Sequence, residues 1–388
     1  MYHRIIHKVH NLVLFLVDSL CLLAYRTDRN ISGKKILLVR LNVVGDFILW
    51  LDAAKDLRKL YPKPEYELVL LGNNAWTSLA ESNSFFDKIW PLDRQKYLNS
   101  PVYRWRIIKN IRRGGFHAVI QPTFSRAFIL EDSITRISGA VQKIGFQGDS
   151  ANIKPWLKRM SDRWYTRLIR VADEPQMELI RNAEFMRAMG LPGFKAGVPQ
   201  LPVHRGRKGS QADKYFVLFP GAGAWMRQWP TDNFIALAKK IYRETGWVTV
   251  LCGGSQDEKL GNTLEGSLDV PIQNMIGRTS LQELASCLAG AQLLVSNETS
   301  AIHIAAAVST PSFCIAGGGH YGRFVPYHVE VGPADHLPVV VTSKMDCYGC
   351  NWKCKYSLSK AQAAPCITDI SVDAVWSAIK KWLDKELC

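Results

Sequence analysis

Short apolar runs that stop at a turn and give way to a helical stretch recur along this chain, in two separate series. A run of four to six apolar residues bounded by turn residues suits a strand buried on both faces of a parallel sheet. In the first series the strands are Ile36–Val39, Glu67–Leu71, Ile89–Leu92, Ala118–Gln121 and Ile144–Phe146. A helix of about three turns, closed by Tyr61-Pro62, follows the first strand, and a basic helix covers Tyr103–Arg113. The second series has strands Tyr215–Phe219, Val248–Cys252, Leu293–Ser296 and Ser312–Ala316. Its helices are Asp232–Thr245, Leu281–Ala289 and Thr299–Ala307, and a last helix, Val372–Leu383, takes Ser371 as N-cap. The expected fold is α/β: two doubly wound, Rossmann-like domains facing a cleft, preceded by an apolar helix. The expected boundaries are 1–33 for that helix, 34–190 for the first domain and 191–213 for a Gly/Pro/Lys/Arg-rich linker. The second domain then runs over 214–370, and the last helix over 371–388.

At 388 residues two cores are the default. The net charge of +15 is unevenly placed. Residues 1–200 hold 31 Lys/Arg against 18 Asp/Glu; residues 201–388 hold 18 against 16. One half therefore faces something anionic: a membrane surface, a phosphorylated glycolipid or nucleic acid, the last without any motif to support it. The N-terminal segment has a basic start, an apolar run Leu12–Val17, Asp18-Ser19, then Leu20–Ala24. The run is shorter than the roughly 20 residues a spanning helix needs. It suits an interfacial anchor or a helix packed on the protein's own surface. Between 149 and 172, Lys158, Arg159, Arg163, Arg167 and Arg170 recur at helical spacing among Trp156, Trp164 and Tyr165. That pattern suits a membrane or anionic acceptor, or else a solvated charged face.

Candidate chemistry sits where strands end. Asp46 follows the first strand and opens a helix, the edge at which open α/β sheets bind ligands; it equally suits a helix cap. Gly221-Ala222-Gly223 follows a strand and lets backbone N–H groups approach a phosphate. Arg227 lies six residues on, a guanidinium that can pair with a diphosphate. Glu298, Thr299, Ser300 and His303 open another helix after a strand, and His303 is open to a structural or a functional role. No Asp-x-Asp pair occurs, so a diphosphate would be neutralised by Arg227 and helix N-termini rather than through a divalent ion.

Cys21, Cys252, Cys287 and Cys314 lie in apolar runs and read as reduced core residues. Cys347, Cys350, Cys354 and Cys366 cluster, and four thiolates can close a tetrahedral structural site for zinc or iron. Unligated cysteines in a loop are the plainer alternative.

Three stretches, Arg40–Asp46, Phe219–Pro230 and Val295–Ala306, resemble in order the ADP-heptose:lipopolysaccharide heptosyltransferases of glycosyltransferase family nine. The resemblance brackets residues 35 to about 385. It implies a fold of the GT-B type, catalysis by inversion without a cofactor, and a nucleotide sugar held mainly by the second domain. It places the base on Asp46 and the diphosphate on Arg227. It places further donor contacts on Asn42, Gly45, Gly221, Ala222, Gly223, Glu298, Thr299, Ser300, His303, Gly317 and Gly318. The chain departs from the family pattern at Asn42, Glu298, Ser300 and the Gly317–Gly319 loop. The expected activity is transfer of a heptose from ADP-heptose to lipopolysaccharide or another lipid-linked envelope glycan. The acceptor side would use Arg159, Arg163, Arg167 and Arg170, with the protein peripheral on the inner face of the bacterial inner membrane. A protein acceptor, or a nucleotide-sugar-binding protein without catalysis, are the alternatives.

Overall fold

The computed structural model describes residues 2–25, 34–171, 176–203, 214–332, 337–359 and 361–386. Part of the expected linker, 204–213, and Cys388 lie outside them. The chain divides into two compact units. The first comprises Met1–Phe47, Ala53–Asp173 and Arg181–Phe194; the second comprises Ile48–Asp52, Glu174–Ile180 and Lys195–Cys388. Two short pieces of the first half thus belong to the second unit, an exchange no local composition announces.

The first unit is built on a six-stranded sheet. Its strands are β1 (Lys34–Arg40), β2 (Tyr66–Asn73), β3 (Lys88–Leu92), β4 (Ala118–Gln121), β5 (Gln142–Phe146) and β6 (Arg167–Ile169), in the order β3-β2-β1-β4-β5-β6. Every pairing is parallel, with Ile36 beside Leu68 on one side and Ala118 on the other. Ile36, Leu37, Leu38 and Val39 are all buried, which is why the sequence there does not alternate. The stretch after Asp46 is not one helix: Val44–Ile48 and Leu51–Leu60 are separate, broken at Leu49 and Trp50. The basic stretch also departs from expectation. A helix covers Pro155–Asp162 only; Arg167 begins the edge strand β6 and Arg170 follows it. Strand pairing with β5 overrides the helical spacing of the charges. A helix over Glu178–Met189, not anticipated, follows.

The N-terminal helix, Tyr2–Ala24, is docked on the first unit. Leu14, Asp18 and Cys21 are fully buried. The Arg104 guanidinium donates to both Asp18 carboxylate oxygens, at 2.5 and 2.6 Å. Ser133 Oγ donates to the same carboxylate.

The second unit repeats the plan. Strands β7 (Tyr215–Phe219), β8 (Val248–Leu251), β9 (Ile272–Asn274), β10 (Leu294–Asn297), β11 (Ser312–Ile315) and β12 (Val339–Val341) run in the order β12-β11-β10-β7-β8-β9, all parallel. In chain order this is the arrangement of the first sheet again. Strands β9 and β12 are three residues each, too short to leave a sequence signal. The last helix, Val372–Glu386, is N-capped by Ser371 Oγ, which accepts from Ala374 N. It packs Val375, Ile379 and Leu383 into a core with Phe216, Trp229, Phe234 and Phe313.

Candidate functional site

In a doubly wound sheet the crevice for ligand opens where the strand order reverses, beyond the C-terminal ends of the strands. That point lies between β1 and β4 in the first unit and between β7 and β10 in the second. Asp46 follows β1, Gly221 follows β7 and Glu298 follows β10, so the expected site residues fall on these two points.

In the first unit a buried arginine at the end of β1 sets the frame. Arg40 donates from Nη1 to the Pro122 carbonyl at 2.7 Å and from Nη2 to the Asp46 carbonyl at 2.9 Å. It thereby ties the β1 loop to the end of β4. The Asn42 carbonyl accepts from the Trp76 indole at 2.8 Å and from Asn73 Nδ2 at 3.2 Å, and its side-chain oxygen accepts from Thr123 Oγ1 at 2.8 Å. Trp76 stacks on Phe47 with ring centroids 4.0 Å apart. Asp46 lies in the first turn of the Val44–Ile48 helix rather than at its cap, nearly buried. Gly45 is its neighbour in the same turn. A negative group there is favoured by the helix N-terminus. At the end of the adjoining strand β4, Gln121 is fully buried with neither amide atom hydrogen-bonded.

In the second unit Asn297, fully buried at the end of β10, organises the loop after β7. Its amide donates to the Pro220 and Gly221 carbonyls at 2.7 and 3.1 Å, and its oxygen accepts from Trp229 N at 3.0 Å. Gly221 lies against Asp257: a Cβ there would push the Asp257 carboxylate aside. Ala222 and Gly223 continue the loop, and nothing lies within 4 Å of a Cβ built on Gly223. Arg227 lies in a short 3-10 turn, Trp225–Arg227, and is partly exposed. Its Nη2 donates to the Glu298 carbonyl at 2.8 Å and lies 3.8 Å from the Glu298 carboxylate; its guanidinium covers the Trp352 ring at 5.0 Å.

Glu298 is almost completely buried, and neither carboxylate oxygen has a hydrogen-bond partner. Burial pushes its carboxyl up to about 7, against the pull of Arg227. Thr299 caps the helix Ser300–Ala307, its Oγ1 accepting from Ala301 N at 3.3 Å. His303 is buried in that helix, its Nδ1 2.8 Å from the Tyr327 hydroxyl, and burial lowers it to about 4, so it is neutral at pH 7. The Tyr327 hydroxyl and the stacked Tyr327 ring hold it in place.

Gly317, Gly318 and Gly319 follow β11 and are buried beneath the cysteine-bearing loop. A Cβ on Gly318 would strike the Tyr348 ring, and one on Gly319 the Trp352 indole. Gly349 N and Asn351 N donate to the Gly318 and Gly319 carbonyls. Rings therefore cover these glycines. Cys347, Cys350, Cys354 and Cys366 line one small pocket with Gly318 and Trp352, and all four are free thiols. Burial first, then the three neighbouring thiols, raise Cys366, opposed by a backbone N–H of Gly318. Among the described residues no three His, Cys, Asp or Glu side chains stand close enough to ligate one ion, so as placed the thiols do not fit a metal. Arg159, Arg163, Arg167 and Arg170 are exposed; Arg167 donates to the Ala188 carbonyl at 2.5 Å.

Arg40, Asn73, Gln121, Thr123 and Asn297 are the residues sequence reasoning left without a role. Only their place at strand ends could have marked them.

The family model described as glycosyltransferase family 9 (heptosyltransferase) matches residues 104–343. Lipopolysaccharide heptosyltransferase 2 of Escherichia coli (strain K12) is 28% identical over 132 residues, 31% of this chain; the chain spans only 38% of that relative's length. Lipopolysaccharide heptosyltransferase 1 of Pseudomonas aeruginosa is 25% identical over 312 residues, covering 74% of this chain and 82% of the other. The solved structure of E. coli ADP-heptose lps heptosyltransferase II matches with a TM-score of 0.67 at 19% identity, over 91% of this chain and 100% of that one, and shares its fold. With a family model spanning more than half of its length, the chain belongs to glycosyltransferase family 9.

Proposed function

We propose that the protein is an inverting glycosyltransferase that moves a heptose from ADP-heptose to a lipid-linked envelope glycan of the lipopolysaccharide type. The observation that carries this is the chemistry of the two strand-order reversals. One holds a carboxylate at a helix N-terminus, Asp46; the other holds an open Gly loop beside a partly exposed guanidinium, Arg227. The relatives' names supply the sugar and the acceptor class.

The reaction divides accordingly. An acceptor hydroxyl gives its proton to the Asp46 carboxylate as its oxygen bonds to the anomeric carbon. The bond from that carbon to the diphosphate oxygen breaks, and ADP leaves with the electron pair. Arg227 and the loop N–H groups neutralise the charge that develops there. Glu298 is the rival base. It is almost completely buried and stands 3.8 Å from the guanidinium that serves the leaving group, so its place suits the diphosphate side better than contact with an acceptor hydroxyl.

The test is incubation of the purified protein with ADP-heptose and a heptose-deficient lipopolysaccharide. ADP release with a one-heptose mass gain of the lipid is expected. Release only with a protein acceptor would move the activity to that substrate, and no release with either would leave a binding protein without catalysis.

Cys347, Cys350, Cys354 and Cys366 share one pocket, but as placed no three of them reach a single ion, so this geometry does not support the expected structural zinc or iron. Elemental analysis of protein purified without chelator decides it: substoichiometric zinc and iron in folded protein would rule the site out.

A further inference from the structure

The N-terminal helix presents the reverse of an ordinary surface helix. A helix on a globular protein turns its apolar stripe inward and its charges outward. Between residues 10 and 24 the single charged side chain of this one, Asp18, is inward, held by Arg104 and Ser133 with no exposure. Leu12, Leu16, Leu20 and Leu23 are outward, 57, 52, 57 and 84% exposed. At 3.6 residues per turn, Leu12, Leu16 and Leu23 project within about 40° of one another, opposite Leu14 and Cys21. The bidentate Asp18–Arg104 pair fixes this rotation, because any turn of the helix would bury a leucine only by exposing or orphaning the ion pair. Contiguous exposed apolar surface of this kind marks an interaction site.

The rim of that face is basic. The neighbouring helix Pro101–Arg113 has no acid; Arg104 and Arg112 are buried, and Arg106, Lys109 and Arg113 are the basic side chains it leaves at the surface. Lys109 and Arg113 both lie over the ring of Tyr25, just past the helix end. Further back along the helix, Arg136 covers the Phe15 ring and donates to Ser19 Oγ at 3.3 Å. Trp164 stacks on Phe15, and the adjoining Arg163 is exposed. No helix among the described residues is long and apolar enough to cross a membrane.

We propose that this leucine face and its basic rim dock the first unit on an anionic lipid bilayer, the helix lying in the headgroup plane. A short apolar face gives weak, reversible binding, and a basic patch supplies the second attraction to acidic headgroups. A protein partner or a second copy would need an acidic rim to match this one, and this chain's own outward face is basic, so self-association brings like charges together.

The experiment is co-sedimentation of the full chain with vesicles of phosphatidylglycerol and phosphatidylethanolamine, and with vesicles of phosphatidylcholine alone. Binding to the anionic vesicles is expected, falling steeply with salt. Leu16→Glu combined with Leu23→Glu should reduce partitioning at least tenfold. Both side chains point outward, so the melting temperature should hold, and that measurement guards against an unfolded variant. Lys109→Gln combined with Arg113→Gln should weaken binding to anionic vesicles severalfold. The idea fails if the leucine variant still sediments like the parent, or if the parent shows no preference for anionic vesicles. It also fails if sedimentation velocity shows a dimer that the leucine variant abolishes while vesicles leave the parent in solution.

Discussion

Asp46 and Arg227 make opposite predictions under the same kind of substitution. Asp46→Asn keeps shape and the hydrogen bond from Arg40 to the Asp46 carbonyl, because that bond uses the backbone. The carboxylate's charge and basicity are removed, so turnover should fall about 10²-fold or more while ADP-heptose affinity stays near the parent value. Arg227→Ala should weaken donor binding and turnover together, since its charge acts on the bound donor and on the leaving diphosphate alike. Steady-state kinetics with both variants check this; an Asp46→Asn enzyme of near-parent turnover would reduce that carboxylate to a helix-terminal charge. Glu298 predicts a pH effect instead. Its folded value, raised from 4.5 to about 7 by burial, means that stability is fully present below 4.5 and is lost as pH rises through 7. The loss is on the order of 3 kcal/mol at most. Urea unfolding of the parent should therefore weaken more between pH 5 and pH 8 than that of Glu298→Gln. Parallel pH profiles for the two proteins would mean that Glu298 is not the buried, unpartnered carboxyl described.

At the scale of elements, what was legible in the sequence was what needs only neighbours in the chain. The runs Ile36–Val39 and Tyr215–Phe219 are apolar because both faces of a central parallel strand are covered, and a reader of the sequence finds them for that reason. The edge strands β6, β9 and β12 were missed because three residues carry no periodicity. The charge spacing through Arg167 misled because pairing with β5, not local preference, decides that segment. Asp46 and Arg227 were legible as motif positions; Arg40 and Asn297 were not, because their partners lie 82 and 77 residues away. Two such long-range polar ties allow a measurement. Asp18→Ala leaves Arg104 buried without its carboxylate and should cost about 3–5 kcal/mol in urea unfolding. Asn297→Ala strands two carbonyls and one N–H behind β10, at about 1–3 kcal/mol for each group left unsatisfied. A loss under 1 kcal/mol for either would mean that water reaches the site and replaces the side chain.

At the scale of the molecule, the same strand order appears twice, each sheet with its own core. Asp18 and Asn297 belong to different units, so the double variant should lose the sum of the single losses within about 0.5 kcal/mol. A larger coupling would show that the two sites are not energetically independent. The outermost strands of the two sheets have a consequence of another kind. An open parallel sheet has two unpaired borders, and a long apolar border invites another chain to add itself as the next strand. Among the described residues the four borders are β3, with a proline at position 91, and β6, β9 and β12, three residues each. None offers a template long enough to seed fibrous or edge-to-edge growth, so a protein that presents leucines to its surroundings on one helix gives away nothing comparable along its backbone.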